Sequence, residues 1–214
     1  MAAPSDRDHE PRGEHYFADS PSSRSRPRTI PLRVRSHDVA LTTDRGTFSP
    51  DRIDPGTRFL LERAPAPPTM GRFLDLGCGY GPIAMTLALE APDAEIVAVD
   101  VNERSRSLTA ANAAALDLDN VAVRSPDAAD GTFDLIWSNP PIRIGKPALH
   151  DLLLRWLGRL TPTGTAILVV NRHLGADSLQ RWLGDRGHPT ERLASRKGYR
   201  LLAVSAAGRV DDEA

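Results

Sequence analysis

The 214-residue chain is 40% hydrophobic and 26% charged, with a formal net charge of −1 and a pI near 6.6, the proportions of a globular domain with a sizeable core. Its longest unbroken apolar run, Ala166 to Val170, is far shorter than the roughly 20 residues of a membrane helix. A single cysteine, Cys78, excludes an internal disulfide, and the acids and arginines of the first fifteen residues are no secretory leader, so the expected location is cytoplasmic.

Residues 1–28 are rich in Pro, Ser, Arg and acids, with Tyr16 and Phe17 nearly alone as apolar groups. Such a stretch buries too little surface to offset chain entropy and is expected to be a disordered tail. Ile30–Val34 and Val39–Thr43 alternate as short strands, followed by turn chemistry at Asp44-Arg45-Gly46. Asp54 and Pro55 read as N-cap and first position of a short helix through Phe59, Leu60 and Leu61, which Pro65, Pro67 and Pro68 end. Residues 29–64 thus form an N-terminal hairpin-plus-helix unit.

From 65 to 207 strands and helices alternate. Strands are expected at Arg72–Leu76, Glu95–Val99, Val121–Val123, Asp134–Ser138 and Thr165–Val170. Helices are expected at Ile83–Glu90, Glu103–Leu116, Ala148–Leu160 and Ala176–Arg186. The third of these carries Leu149, Leu152, Leu153, Trp156, Leu157 and Leu160 on one continuous face. No helix-length stretch separates the last two strands, near Thr190–Ala194 and Arg200–Ser205, so they should pair as an antiparallel hairpin turning at Lys197-Gly198. The expected fold is α/β: a doubly wound, Rossmann-like seven-stranded sheet ending in an antiparallel hairpin, preceded by the N-terminal β-hairpin. Residues 208–214 form an acidic tail.

Ligands of such sheets bind beyond the carboxyl ends of the strands. The first core strand ends in Asp75-Leu76-Gly77-Cys78-Gly79-Tyr80-Gly81. Its alternate glycines permit a tight turn and close backbone approach, and the helix behind aims free N–H groups at an anion. Asp100 ends the next strand, about 20 residues on, a separation that suits a carboxylate accepting ribose hydroxyls. The spacing is Gly-x-Gly-x-Gly, and Asp75 would repel a pyrophosphate but suits an ammonium. Ribose, carboxylate and ammonium together describe S-adenosyl-L-methionine. The loop resembles that of class I S-adenosylmethionine-dependent methyltransferases, whose sheet also ends in an antiparallel hairpin. That resemblance implies cofactor contacts from Asp75, Gly77, Gly79 and Asp100, and places Asp127 where the family holds the adenine amino group; a plain surface turn is the competing reading of Asp127.

The fourth core strand runs into Asn139-Pro140-Pro141-Ile142. Pro140 restricts Asn139 to extended geometry, so that the Asn139 side-chain oxygen and the Pro140 carbonyl can accept both hydrogens of a planar amino group and stabilise charge developing on its nitrogen. Such a loop resembles methyltransferases acting on amino groups of planar systems, with Asn139, Pro140 and Pro141 as the catalytic corner and Asn139 also near the cofactor. Adenine- and glutamine-methylating enzymes carry an aromatic at the fourth position; this chain has Ile142. Ile142 to Lys146 with Leu149-His150, Gly46 to Ser49, Asp54 to Thr57 and Arg196 to Arg200 resemble the small-domain 16S ribosomal RNA guanine-N2 methyltransferases over about residues 14–204.

That likeness implies RNA, as ribosomal RNA or the ribosomal subunit, as partner. It sets Phe48 and Ser49 above the cofactor's methionine end beside the target base, counts Ile142 among the substrate-binding residues, and sets Arg143 and Lys146 against RNA phosphates. Phe48 as a hydrophobic plug, and Arg143 and Lys146 as solvated loop charges, are the competing readings. The arginines from Arg24 to Arg35 either grip RNA backbone or are simply solvated. Six scattered histidines give no metal-ligand spacing, so no metal is expected, and Cys78 reads as a packing residue. N-methylation of a small molecule or protein side chain, a dehydrogenase, and an RNA-binding protein with an inactive pocket are the alternative functions.

Overall fold

The computed structural model describes residues 24–208; most of the expected N-terminal tail and nearly all of the acidic tail lie outside them. Strands β1 (Arg28–Val34) and β2 (His37–Thr43) pair antiparallel in register from Arg28↔Thr43 to Val34↔His37. Ile30, Leu32, Val34 and Leu41 fall on one side of this hairpin and are buried. They share a core with Phe59, Leu60 and Leu61 of helix α1 (Pro55–Arg63). The Asp54 carboxylate caps α1, accepting from the amides of Gly56 and Thr57, as its sequence signature requires.

The main sheet is formed by β3 (Arg72–Leu76), β4 (Glu95–Val99), β5 (Val121–Arg124), β6 (Phe133–Ser138), β7 (Leu160–Asn171), β8 (Thr190–Arg196) and β9 (Tyr199–Ser205), in the order β5-β4-β3-β6-β7-β9-β8. β3 to β7 run parallel; β9 enters antiparallel between β7 and β8. The turn between β8 and β9 sits at Lys197 (φ 42°) and Gly198 (φ 85°), as expected.

Residue alternation sorts the sheet into two faces. Phe73, Leu135, Trp137, Ile167 and Val169 pack towards α1, α2 (Pro82–Glu90) and α3 (Glu103–Ala115). Leu74, Leu76, Ile136, Leu168 and Val170 pack towards α4 (Lys146–Leu157) and α5 (Ala176–Asp185).

One boundary departs from expectation. Leu160 continues the apolar stripe of α4 in sequence but opens β7, opposite Phe133. The ladder then skips to Leu135↔Thr165, so Thr161-Pro162-Thr163-Gly164 bulge out of register. Turn-forming residues at that point conceal the strand's first half from pattern reading.

Candidate active site

Strand registration brings the candidate residues together. Val99, Leu76 and Ser138 are neighbours in one row across β4, β3 and β6. The next residue on each strand is Asp100, Gly77 and Asn139. At about 4.8 Å between strands, these positions fall within roughly 10 Å of one another. Between β3 and β6 the winding of the sheet reverses, which is where open α/β sheets form their ligand crevice. The Ser138 hydroxyl donates to the Leu76 carbonyl at 2.7 Å and fastens the two strand ends.

The glycine loop is held from below and left open above. The amides of Gly77 and Cys78 donate to the Val99 carbonyl at 2.8 and 3.0 Å, and the Gly79 amide donates to Asp100 at 2.9 Å. Gly77 and Gly79 have φ of +79° and +58°, and a Cβ built on either meets nothing within 4 Å. At Gly81 the same Cβ would lie 3.0 Å from Thr109. The first two glycines therefore keep space clear over the loop, whereas the third permits packing against α3.

The two acids differ in setting. Asp100 accepts from Gly79 through one oxygen and from the Asn102 amide at 2.8 Å through the other. Burial raises its pKa above the usual carboxylate value, against those hydrogen bonds and the charge of Arg106. Asp75 is fully buried beneath the loop. One oxygen accepts from the Ala84 amide at 2.9 Å in the first turn of α2, and the other has no partner. Burial pushes its pKa up to about 8, with the charge of Asp100 adding to the shift. Cys78 is also buried and its thiol pKa is raised well above the ordinary value, which removes the thiolate a nucleophile would need.

Beyond Asp100 a cleft of about 590 Å³ is lined by Val101, Glu103, Arg106, Ser125, Asp127 and Arg155 among others. Asp127 is exposed and accepts from Arg155 at 2.9 Å. Sequence reasoning missed Val101, whose exposed apolar side chain lines this cleft. It also missed Arg106, which donates to the carbonyls of Asp100 and Val101 at 2.8 and 2.6 Å.

At the other end stands the proline corner. Pro141 has φ −76° and ψ 75°, an inverse γ-turn in which the Ile142 amide donates to the Pro140 carbonyl at 2.9 Å. That carbonyl keeps a second lone pair. The Asn139 Nδ2 donates to Asp54 Oδ1 at 2.9 Å and to Thr57 Oγ1 at 3.0 Å, two partners that sequence reading did not find. Ile142 is half-buried against the α4/α5 core, while Arg143 and Lys146 are exposed.

The segment between β2 and α1 crosses the mouth of the crevice. Asn102 Nδ2 donates to its Gly46 carbonyl at 3.2 Å, the Tyr80 hydroxyl to its Arg52 carbonyl at 3.4 Å, and Asn139 to Asp54. It is thus tied to the loops after β4, β3 and β6 in turn, and it carries Phe48, which is 41% exposed, and Ser49. Among the described residues no His, Cys, Asp and Glu cluster could hold a metal ion, and no helix is long and apolar enough to cross a membrane.

A family model for the methyltransferase small domain matches residues 38–203, from β2 to β9. The chain belongs to the methyltransferase small-domain family. The family's description is that of a methyltransferase, and the open space over Gly77 and Gly79, the buried carboxylate at the tip of β4 and the cleft beside it fit S-adenosylmethionine, the cofactor expected from the sequence. The uncharacterized protein YbxB of Bacillus subtilis is 34% identical over 194 residues, covering 88% of this chain and 96% of that one. Ribosomal RNA small subunit methyltransferase C of Shewanella amazonensis is 30% identical over 179 residues, 80% of this chain but 51% of that protein. The T. thermophilus 16S rRNA N2 G1207 methyltransferase (RsmC), solved with AdoMet and guanosine, shares the fold at a TM-score of 0.65 and 23% identity over 84% of this chain and 50% of its own. The chain spans about half the length of these two ribosomal RNA methyltransferases.

Proposed function

We propose that this methyltransferase acts on the exocyclic N2 amine of a guanine in ribosomal RNA. The observation that carries the reading is the Asn139–Pro140 corner, one residue beyond the strand row that also presents Gly77 and Asp100. With both hydrogens of its Nδ2 directed at acceptors on the cap and first turn of α1, Asn139 keeps its oxygen as an acceptor for a substrate N–H. The relatives named as ribosomal RNA methyltransferases supply the substrate class.

When bound, S-adenosylmethionine supplies an electrophilic methyl group on a sulfonium. In this reading Gly77 and Gly79 allow close approach to the loop, Asp100 accepts from the ribose hydroxyls, and Asp127 and Val101 flank the base. Asp75 offers its unpartnered oxygen from below the loop. Asn139 Oδ1 and the Pro140 carbonyl accept the two hydrogens of the guanine amine and turn its lone pair towards the methyl carbon. As the new C–N bond forms and the C–S bond breaks, the same two oxygens face the positive charge on nitrogen. A proton is then lost to solvent, and neutral methylamine and thioether remain. A paired guanine cannot offer this amine, so the base must leave its stack. Phe48, on the crossing segment, is an aromatic that would stack on it, and Ile142 forms part of the apolar wall.

The test is transfer of labelled methyl from S-adenosylmethionine to ribosomal RNA, followed by nucleoside mass analysis. The expected product is N2-methylguanosine, with transfer reduced at least about 100-fold in Asn139→Ala, the scale of losing an oriented transition-state contact. Label in protein or small molecules, or in a different nucleoside, would overturn the assignment.

A further inference from the structure

We propose that Asp54 is a positioning residue for methyl transfer, acting through Asn139 while it caps α1. A single oxygen, Oδ1, receives three donors: the amides of Gly56 at 2.8 Å and Thr57 at 3.1 Å, and Asn139 Nδ2 at 2.9 Å. The second hydrogen of Nδ2 goes to Thr57 Oγ1 at 3.0 Å.

Chemistry settles which way the Asn139 amide faces. An ionised carboxylate only accepts, so rotating the amide by half a turn would set its oxygen against the Asp54 oxygen. The nitrogen is therefore held towards α1, and Oδ1 is turned away from it, without a hydrogen-bond partner among the described residues. The negative charge behind the N–H groups also polarises the amide and makes Oδ1 a stronger acceptor. Both effects serve the amine-holding role assigned to Asn139 above, and the consequence for catalysis rests on that reading. The orientation of the amide does not.

The device also joins two segments that are far apart in sequence. Asp54 ends the segment that carries Phe48 and Ser49 across the crevice, and Asn139 begins the loop after β6. The proposed stacking surface and the amine acceptor are thereby fixed to the same helix end.

Three variants separate positioning from simple stability. Asp54→Asn can keep Oδ1 in place for all three donors but removes the charge. Asp54→Ser keeps a good N-cap on a side chain one atom shorter, and gives up Asn139. Thr57→Val removes the second acceptor. Each is measured for melting temperature, S-adenosylmethionine affinity, and kcat and KM in methyl transfer to ribosomal RNA. The side-chain amide protons of Asn139, assigned by their loss in Asn139→Ala, are followed by NMR.

For Asp54→Ser, the expected result is a kcat about 10- to 100-fold lower, the scale of a displaced orienting group. Cofactor affinity and KM should stay within about two-fold, and the Asn139 amide protons should shift and exchange faster. Asp54→Asn should recover most of that loss. Unchanged Asn139 amide protons in Asp54→Ser would overturn the proposal, as would activity losses that follow melting temperature equally in the Asn and Ser variants. If the wild-type protein transfers no methyl to RNA, the substrate reading fails, and the amide resonances still decide whether Asp54 orients Asn139.

Discussion

Asn112 and Thr42 form a closed pair. The Thr42 amide donates to Asn112 Oδ1 at 2.7 Å, and Asn112 Nδ2 returns a bond to the Thr42 carbonyl at 2.8 Å. The same Nδ2 also donates to the Tyr80 carbonyl at 2.8 Å. One buried amide on α3 thus imitates a neighbouring strand for β2, and joins the hairpin to the glycine loop. Asn112→Ala would leave buried partners unsatisfied and should cost about 2–4 kcal/mol in urea unfolding. Asn112→Asp should be at least as damaging, since a carboxylate would face two carbonyls. A loss under about 0.5 kcal/mol in the alanine variant would show that the hairpin is docked by other contacts.

The glycines of the loop should separate by function. Ala at Gly79 meets no protein atom within 4 Å but must adopt φ of +58°, a cost of about 1–2 kcal/mol. The variant should fold, with its melting temperature a few degrees lower, and bind S-adenosylmethionine at least about ten-fold more weakly, because the Cβ occupies the space over the loop. Gly81→Ala adds a contact at 3.0 Å to Thr109 and should lose more stability than Gly79→Ala. Calorimetric titration that finds cofactor affinity unchanged in Gly79→Ala would remove that loop from the binding site.

Much of this architecture is legible in the chain because local and tertiary signals agree. The apolar strands bounded by glycine, the Asp54-Pro55 helix start and the Lys197-Gly198 turn each have one cheap solution. The start of β7 was not legible, since Thr161-Pro162-Thr163-Gly164 offers turn chemistry while Leu160 extends the helical stripe of α4. At the site, motif spacing picks out Asp75, Gly77, Gly79, Asp100 and Asn139, but not how they are held. Asp54 reads as a helix cap and nothing more, because its second role depends on Asn139, 85 positions away. Nor does the pattern reveal that Asp75 lies wholly under the loop, since strand alternation does not fix depth at a strand's end.

The buried Asp75 predicts an unusual pH response of stability. In the unfolded chain this carboxyl ionises near 3.8; in the folded protein burial holds the proton until about pH 8. Between those values the folded state binds more protons than the unfolded one, so this group makes stability fall as pH rises, by up to about 1.4 kcal/mol per unit for one proton. Asp100 shifts in the same direction. Asp44 works oppositely: burial alone would raise its pKa, but hydrogen bonds from Ser25, Arg26 and Arg45 outweigh this and lower it, confining its effect to acid. Without cofactor, Asp75→Asn should therefore melt higher than wild type at pH 7.5, and show a flatter melting profile between pH 5 and 8. A variant that melts lower at pH 7.5 and keeps the wild-type slope would rule out an ionisation cost at this position.

Arg143 lies within the 3₁₀ turn that follows the proline corner and Lys146 opens α4 just after it, both exposed. If they meet phosphates of the RNA strand that delivers the guanine, each contact releases counterions, and the salt dependence of binding counts them. For single strands the slope of log affinity against log salt changes by about 0.7 per phosphate. Charge reversal at either residue should weaken ribosomal RNA binding several-fold near physiological salt and lower the slope by about that amount. The double variant should lower it by about twice as much. Cofactor affinity should not change, because neither residue lines the cleft beside Asp100. Equal slopes in wild type and the double variant would return both residues to the role of solvated loop charges, and the RNA path would have to be sought elsewhere on the surface.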